Sequence, residues 1–95
     1  MNQVNTLSET VAITNQRGLH ARASAKFVNF VAALPDTVKV EVEKDGNRVN
    51  GLSIMGLMML GAAKGDSITI HTSGEGADLA IVKLAGLVKD SFGED

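Results

Sequence analysis

The sequence of 95 residues contains no cysteine, tryptophan or tyrosine, and it has a single proline. The lack of cysteine excludes disulfides and thiolate chemistry and fits a reducing compartment, so we expect a cytoplasmic protein. The lack of Trp and Tyr removes the usual stacking platforms for bases, and a formal charge of −2 with scattered basic residues provides no basic surface. We therefore expect no nucleic-acid partner, and an RNA-binding α/β domain is a distant alternative.

Long apolar runs are missing as well. No stretch approaches the roughly 20 apolar residues of a membrane-spanning helix, and residues 1–10 carry neither the basic cluster nor the apolar run of a secretory signal. Hydrophobic residues still make up 44% of the chain, which is enough to build one core. We therefore predict a single domain over residues 1–95 that uses no membrane, cofactor or metal, since two distant histidines without cysteine give a metal site little support.

The spacing of the apolar residues predicts four strands and three helices. The predicted strands are residues 10–15, 37–43, 48–52 and 67–72. The predicted helices are residues 21–34, 53–60 and 77–91. Residues 1–8 are predicted to fray, and residues 93–95 to form an acidic tail. The order β-α-β-β-α-β-α favours an α+β fold, a two-layer open-faced sandwich in which three helices cover one face of a four-stranded antiparallel sheet.

The stretch RGLHARAS, residues 17–24, joins the first strand to the first helix. Gly18 allows a backbone conformation closed to other residues and places His20 at the start of the helix, where free amides and the helix dipole favour an anion. A neutral imidazole is nucleophilic, and the planar guanidinium of Arg22 matches phosphate oxygens. The plainer alternative is that His20 and Arg22 are capping or surface residues, and for Arg17 a loop charge is the better interpretation.

Two stretches resemble the HPr family, the histidine-containing phosphocarriers of the bacterial phosphotransferase system. Residues 18–28, GLHARASAKFV, are similar to its active-site signature, and residues 53–58, SIMGLM, resemble its regulatory-serine helix. The resemblance covers roughly residues 9–88. The family usually has proline where Ala23 follows Arg22, and Ala23 with Ser24 is more similar to the nitrogen-related branch of the family.

The resemblance implies a fold and a function. The implied sheet order is 1-4-2-3. The implied function is that His20 accepts a phosphoryl group from Enzyme I, or its nitrogen-system counterpart, and passes it to an EIIA-type protein, while Arg22 stabilises the phosphate. Such a protein is a monomeric carrier and not an autonomous catalyst. The alternative is a regulatory module of the same fold that binds partners without transferring phosphate.

The second signature predicts a regulated docking surface. Ser53 opens a helix, where its hydroxyl is expected to cap an amide, and the resemblance also makes it a candidate site for HPr kinase/phosphorylase. Ile54, Met55 and Met58 fall on one side of that helix, and we predict that they form an exposed, adaptable docking patch. The alternative is a buried helix. His71 lies in a predicted strand without a nearby acidic or second histidine partner, and it is predicted to be structural or exposed.

Overall fold

The computed structural model describes residues 6–94, and in them strands and helices follow in the predicted order β-α-β-β-α-β-α. The strands span Thr6–Ala12 (β1), Lys39–Lys44 (β2), Asn47–Asn50 (β3) and Ser67–Ser73 (β4). The helices span Ala21–Ala32 (α1), Ile54–Met59 (α2) and Ala77–Lys89 (α3), and a 3₁₀ turn at Ser91–Gly93 follows α3.

The four strands form one antiparallel sheet in the order β1-β4-β2-β3. This is the order that the family resemblance implies, so the predicted fold class is confirmed. Because β4 pairs with both β1 and β2, it lies in the interior of the sheet. In its outward row Ser8 of β1 and Glu41 of β2 flank His71.

The core lies between the sheet and the helices because each inner strand alternates apolar and polar residues. Val40 and Val42 of β2 and Ile68 and Ile70 of β4 are buried. The helices contribute buried side chains that include Phe27, Leu57, Leu84 and Val88. The opposite, outer face of the sheet carries the polar residues of the same strands, which are exposed or partly exposed.

The predicted element boundaries differ from the structure at several ends. Residues 6–8, predicted to fray, belong to β1, because β4 offers partners up to Ser73; residues 1–5 lie outside the described part. The first strand ends at Ala12 and not at Asn15.

Helix α1 ends before Pro35, with its C-cap at Ala33. In the hairpin, the pairing runs from Lys44 with Asn47 to Glu41 with Asn50.

The largest correction concerns the end of the chain. Helix α3 stops at Lys89, and Ser91 and Phe92 adopt left-handed backbone conformations, with φ of 56° and 55°. These conformations turn the chain back so that Phe92 is buried in the core. The predicted acidic tail is therefore wrong for Glu94, which packs beside α1; Asp95 lies outside the described residues. No helix among residues 6–94 has the length and apolarity to cross a membrane.

Candidate functional site

His20 lies directly before α1, held by the loop that precedes the helix. Its backbone is extended, with φ −72° and ψ 179°, and its side chain makes no capping hydrogen bond. The N–H of Leu19 donates to the carbonyl of Ala62 at 2.9 Å, and the Ser24 hydroxyl donates to the carbonyl of Leu19 at 3.1 Å. These bonds fix the backbone before the helix and leave the imidazole free for other contacts.

Gly18 is required at its position for two reasons. Its φ is +63°, a left-handed value that disfavours other residues. A Cβ at this position would lie 2.2 Å from the carbonyl oxygen of Ala62 and 2.9 Å from Cα of Ala63. The close approach lets the loop after α2 hold the segment that carries His20.

The start of α1 presents unused donors next to His20. The first intrahelical bond runs from the N–H of Ser24 to the carbonyl of His20, at 2.9 Å. The amides of residues 21–23 have no backbone acceptor within residues 6–94, and the first turn of α1 contains no acidic residue. This end of the helix therefore favours an anion.

One nitrogen of His20 is occupied by a carboxylate. Nε2 of His20 lies 2.7 Å from Oε2 of Glu94, and both side chains are only 16% exposed. The other carboxylate oxygen, Oε1, accepts a hydrogen bond of 3.0 Å from Nδ2 of Asn15, which also donates to the carbonyl of Gly18 at 2.8 Å. Glu94 is thus held by two donors from the segment that precedes α1.

These contacts lower the pKa of the Glu94 carboxyl below its ordinary value. The hydrogen bond from Asn15 is the largest cause, and the hydrogen bond and charge of His20 and the charge of Lys26 act in the same direction. Glu94 is therefore ionised at neutral pH. An ionised carboxylate can only accept hydrogen bonds, so Nε2 of His20 carries the proton, and in the neutral ring Nδ1 carries the lone pair.

The C-terminal turn, residues 90–94, brings Glu94 to this position. Phe92 is 1% exposed, and its carbonyl accepts a hydrogen bond of 2.7 Å from Nζ of Lys26. The hydroxyls of Thr14 and Ser91 are 2.7 Å apart. The buried ring and these bonds fix the turn against α1 and the loop before it.

Cationic side chains surround His20. A surface depression is lined by residues of the loop, of α1 and of the C-terminal turn, namely Gln16, Arg17, His20, Arg22, Lys26, Gly93 and Glu94. Arg22 is exposed and has no hydrogen bond or ion pair within residues 6–94. The three cations outnumber the single carboxylate, so the depression is electrostatically suited to an anion such as phosphate.

Ser53 is the N-cap of α2, as predicted. Its Oγ accepts a hydrogen bond of 2.9 Å from the N–H of Gly56. This contact satisfies one of the free amides at the helix start. Ser53 itself is partly exposed.

Helix α2 is not a buried helix. Leu57 is completely buried and fixes it to the core, whereas Ile54, Met55 and Met58 are 39%, 70% and 41% exposed. Met59 is 81% exposed and extends the apolar surface beyond the three residues that the sequence predicts. The docking role of Ile54, Met55 and Met58 stays a prediction.

The second histidine has partners that were not predicted. His71 lies in β4 on the outer face, with Nε2 2.7 Å from Oε1 of Glu43 in β2 and Nδ1 2.7 Å from Oγ of Ser8 in β1. The partners come from neighbouring strands and are far away in the sequence. Both ring nitrogens are therefore occupied, which agrees with a structural role.

Sequence reasoning missed three residues of the His20 site: Asn15, Lys26 and Glu94. Lys26 follows Arg22 by four residues, which places both on one side of α1, and this spacing could have been noticed. Asn15 and Glu94 are far apart in the sequence and are brought together by the C-terminal turn. No pattern of neighbouring residues therefore indicated their contact.

Comparison with known proteins decides the family. The family model described as PTS HPr component phosphorylation site matches residues 7–90. The chain belongs to the HPr family. Phosphocarrier protein HPr of Neisseria meningitidis is 46% identical over 88 residues, covering 93% of this chain and 97% of that protein.

Solved structures of HPr proteins have the same fold. The crystal structure of HPr from Thermoanaerobacter tengcongensis superposes with a TM-score of 0.86 at 37% identity, covering 94% of this chain and 98% of that one. A crystal structure described as an HPr dimer from the same organism has a TM-score of 0.71 at 36% identity, covering 99% and 100% of the two chains. An HPr protein is a phosphocarrier of the phosphotransferase system and not an autonomous catalyst.

Proposed function

We propose that His20 is the phosphoryl-carrying residue of this HPr protein and that Nδ1 is the accepting atom. The observation that carries the proposal is the environment of the ring. Nε2 is engaged by Glu94 at 2.7 Å, whereas Nδ1 has no hydrogen-bond partner among residues 6–94 and lies in a depression with three cations. A neutral imidazole with one free nitrogen is a competent nucleophile.

Arg22 and the start of α1 supply the contacts for the phosphoryl oxygens. The guanidinium is exposed beside His20 and keeps its charge at all relevant pH values. The free amides of residues 21–23 add donors and the positive end of the helix dipole. The role proposed for these groups is positioning and electrostatic stabilisation, because the transfer itself occurs between His20 and a partner protein.

Phosphoryl exchange then occurs with two partner proteins, Enzyme I as donor and an EIIA-type protein as acceptor. Family membership supports partners of the phosphotransferase system in general. The particular partners, the nitrogen-related branch, a cytoplasmic location and a monomeric state stay predictions, and the dimeric relative makes sedimentation analysis the direct check of the last of these.

Docking is proposed to involve the exposed side of α2. Ile54, Met55 and Met58 present flexible apolar side chains at a helix that Leu57 fixes to the core. Ser53 at the start of that helix is the proposed regulatory phosphorylation site for an HPr kinase/phosphorylase. Both roles depend on exposure and position alone, so each has its own test below.

The experiment that tests the proposed function is a phosphotransfer assay. The protein is incubated with phosphoenolpyruvate and Enzyme I, and its intact mass is measured before and after acid treatment. We expect a gain of one phosphate that acid removes, as for a phosphohistidine, and no gain in His20→Ala. A wild-type protein that binds Enzyme I and acquires no phosphate would instead be a regulatory binding module.

A further inference from the structure

We propose that Glu94 is a positioning residue for phosphoryl transfer: seated by Asn15, its carboxylate holds the imidazole of His20 with the proton on Nε2 and the lone pair on Nδ1. The part that concerns transfer rests on the function proposed above. The part that concerns the ring does not, because it follows from the contacts of Glu94 alone.

Asn15 presents a hydrogen-bond donor to the position that the Glu94 carboxylate occupies. Asn15 is completely buried, and its Nδ2 donates to the Gly18 carbonyl at 2.8 Å and to Oε1 of Glu94 at 3.0 Å. The amide must have this orientation, since the reverse would direct its oxygen at two other acceptors. Asn15 therefore offers a donor to Glu94, and the remaining oxygen of the carboxylate faces Nε2 of His20.

The Glu94 carboxylate is held firmly because both Asn15 and the C-terminal turn are themselves fixed by contacts. The Gly18 carbonyl that orients Asn15 belongs to a backbone that packs closely on Ala62. On the other side the buried ring of Phe92 and the hydrogen bond of its carbonyl with Lys26, at 2.7 Å, fix the C-terminal turn. A carboxylate on a freely moving tail could not orient a ring, whereas this one is held within hydrogen-bond distance of two groups.

The chemical consequence concerns which nitrogen reacts. In the transfer step the bond between phosphorus and the donor atom of Enzyme I breaks, its electron pair stays on that donor atom, and the lone pair of Nδ1 forms the new bond to phosphorus. The proton on Nε2 stays in place throughout. The ring gains positive charge as the bond forms, and the Glu94 carboxylate at 2.7 Å stabilises that charge. Without Glu94 the proton can move to Nδ1, and in that tautomer Nδ1 has no lone pair to offer.

The first experiment determines directly which nitrogen of the His20 ring carries the proton, and it needs no phosphoryl donor. The ¹⁵N chemical shifts of the His20 ring are measured by NMR at neutral pH for the wild type, Glu94→Ala and the control Asp90→Ala. Asp90 belongs to the same turn, is exposed, and its side chain has no hydrogen bond within residues 6–94, so the control removes the same charge without touching the ring. We expect Nε2 protonated in the wild type and the control, and a mixture of tautomers in Glu94→Ala. Asn15→Ala should shift the ring signals in the same direction.

The second experiment measures the rate of phosphoryl uptake from phosphorylated Enzyme I. Loss of a carboxylate that orients a metal-binding histidine lowers metal affinity or activity by a factor of roughly ten to a hundred. By analogy we expect uptake by Glu94→Ala to slow by about tenfold, while Asp90→Ala matches the wild type. The melting temperatures of both variants serve to exclude a general loss of structure.

The outcomes separate the two proposals. Wild-type tautomer and wild-type rate in Glu94→Ala would overturn the positioning role while the phosphocarrier function stands. A changed tautomer with an unchanged rate would overturn the link to transfer. If the wild-type protein takes up no phosphate at all, the proposed function fails, and the ring spectra still decide whether Glu94 orients His20.

Discussion

The two histidines of this protein share one contact, from Nε2 to a glutamate, and differ in the partners of Nδ1 and in the surrounding residues. Each has Nε2 at 2.7 Å from a glutamate oxygen, and each side chain is about one-sixth exposed. His71 lies within a strand of the sheet interior, and its Nδ1 is occupied by the Ser8 hydroxyl. His20 lies at the start of a helix, and Nδ1 has no partner within residues 6–94.

A carboxylate partner is therefore common to both histidines and does not set the proposed phosphoryl acceptor apart. What distinguishes His20 is the open second nitrogen together with unpaired groups that can hold an anion: Arg22 and the free amides of α1. The outer face has its own arginine, Arg48, but this side chain is engaged with Glu41 at 2.8 Å. The reactivity proposed for His20 therefore depends on the groups that are left unpaired around it.

The sharpest test replaces each histidine by alanine. We expect His20→Ala to abolish phosphoryl uptake, because the accepting atom is gone, and His71→Ala to retain it. Uptake is measured as the acid-labile gain of one phosphate with Enzyme I and phosphoenolpyruvate. Phosphate on histidine in the His20→Ala variant would contradict the role of His20 as the acceptor. Loss of uptake in a folded His71→Ala protein would contradict the structural role of His71.

The two arginines give the next largest contrast. Arg22→Ala should slow phosphoryl transfer without removing the acceptor, because a hydrogen bond to a charged group contributes about 1.5 to 3 kcal/mol, or roughly tenfold or more in rate. Arg48→Ala, which removes the same charge from the outer face, should leave the rate unchanged. Rapid-quench measurement of uptake by both variants decides the point, and equal rates for the two would make Arg22 a surface residue only.

The contrast between the histidines also shows what could be predicted from the sequence. Gly18, His20 and Arg22 were recognisable because a loop, a helix start and their side chains all lie within a few residues. Glu94 was not, because its approach depends on left-handed conformations at Ser91 and Phe92, and neither residue type favours them.

The same limit applies to the outer face. The alternation in β2 and β4 predicted which residues face outward, but the neighbours of His71 depend on the strand order and register. The order followed only from the family resemblance, and the register was not predicted at all. Local periodicity therefore determined the elements, whereas contacts between distant segments required the structure.

The third prediction tests whether partner docking uses the exposed patch of Ile54, Met55 and Met58 on α2. Met55→Glu should weaken binding to Enzyme I by more than about 1 kcal/mol, as at an interface hot spot. Its stability should change little, because the side chain is 70% exposed and glutamate is a good helix former. The binding constant is measured by calorimetry and the melting temperature on the same sample. Met59→Glu, on the same helix but outside the predicted patch, is the matched control, and an equal loss in both would place the patch boundary elsewhere.

The fourth prediction concerns regulation at Ser53. Ser53→Asp keeps an N-cap acceptor for Gly56 and adds an anion where the helix start favours one, so the melting temperature should hold or rise slightly. The charge next to the docking patch should reduce phosphoryl transfer to His20, since a partner would have to desolvate it. Ser53→Ala should show the reverse, a loss of stability of about 1 kcal/mol from the missing cap with normal transfer. A destabilised Asp variant, or a stable one with undiminished transfer, would contradict regulation at this site.

The smallest effect, and the one most specific to the His20 site, is its dependence on pH. The pKa of Glu94 is lowered in the folded protein, chiefly by the hydrogen bond from Asn15. The contribution of this carboxylate to stability is therefore fully present above its ordinary value of 4.5 and is lost as the pH falls through the lowered folded value. The difference in melting temperature between the wild type and Glu94→Ala should accordingly be present above pH 4.5 and shrink as the pH falls through the lowered folded value, whereas Asp90→Ala should not reproduce this dependence. Because Glu94 is partly exposed, the difference should be modest and should shrink with added salt. A difference that persists in acid would mean that Glu94 stabilises the fold by contacts that do not need its charge. No difference at any pH would mean that the C-terminal turn is held by Phe92 and Lys26 without the carboxylate.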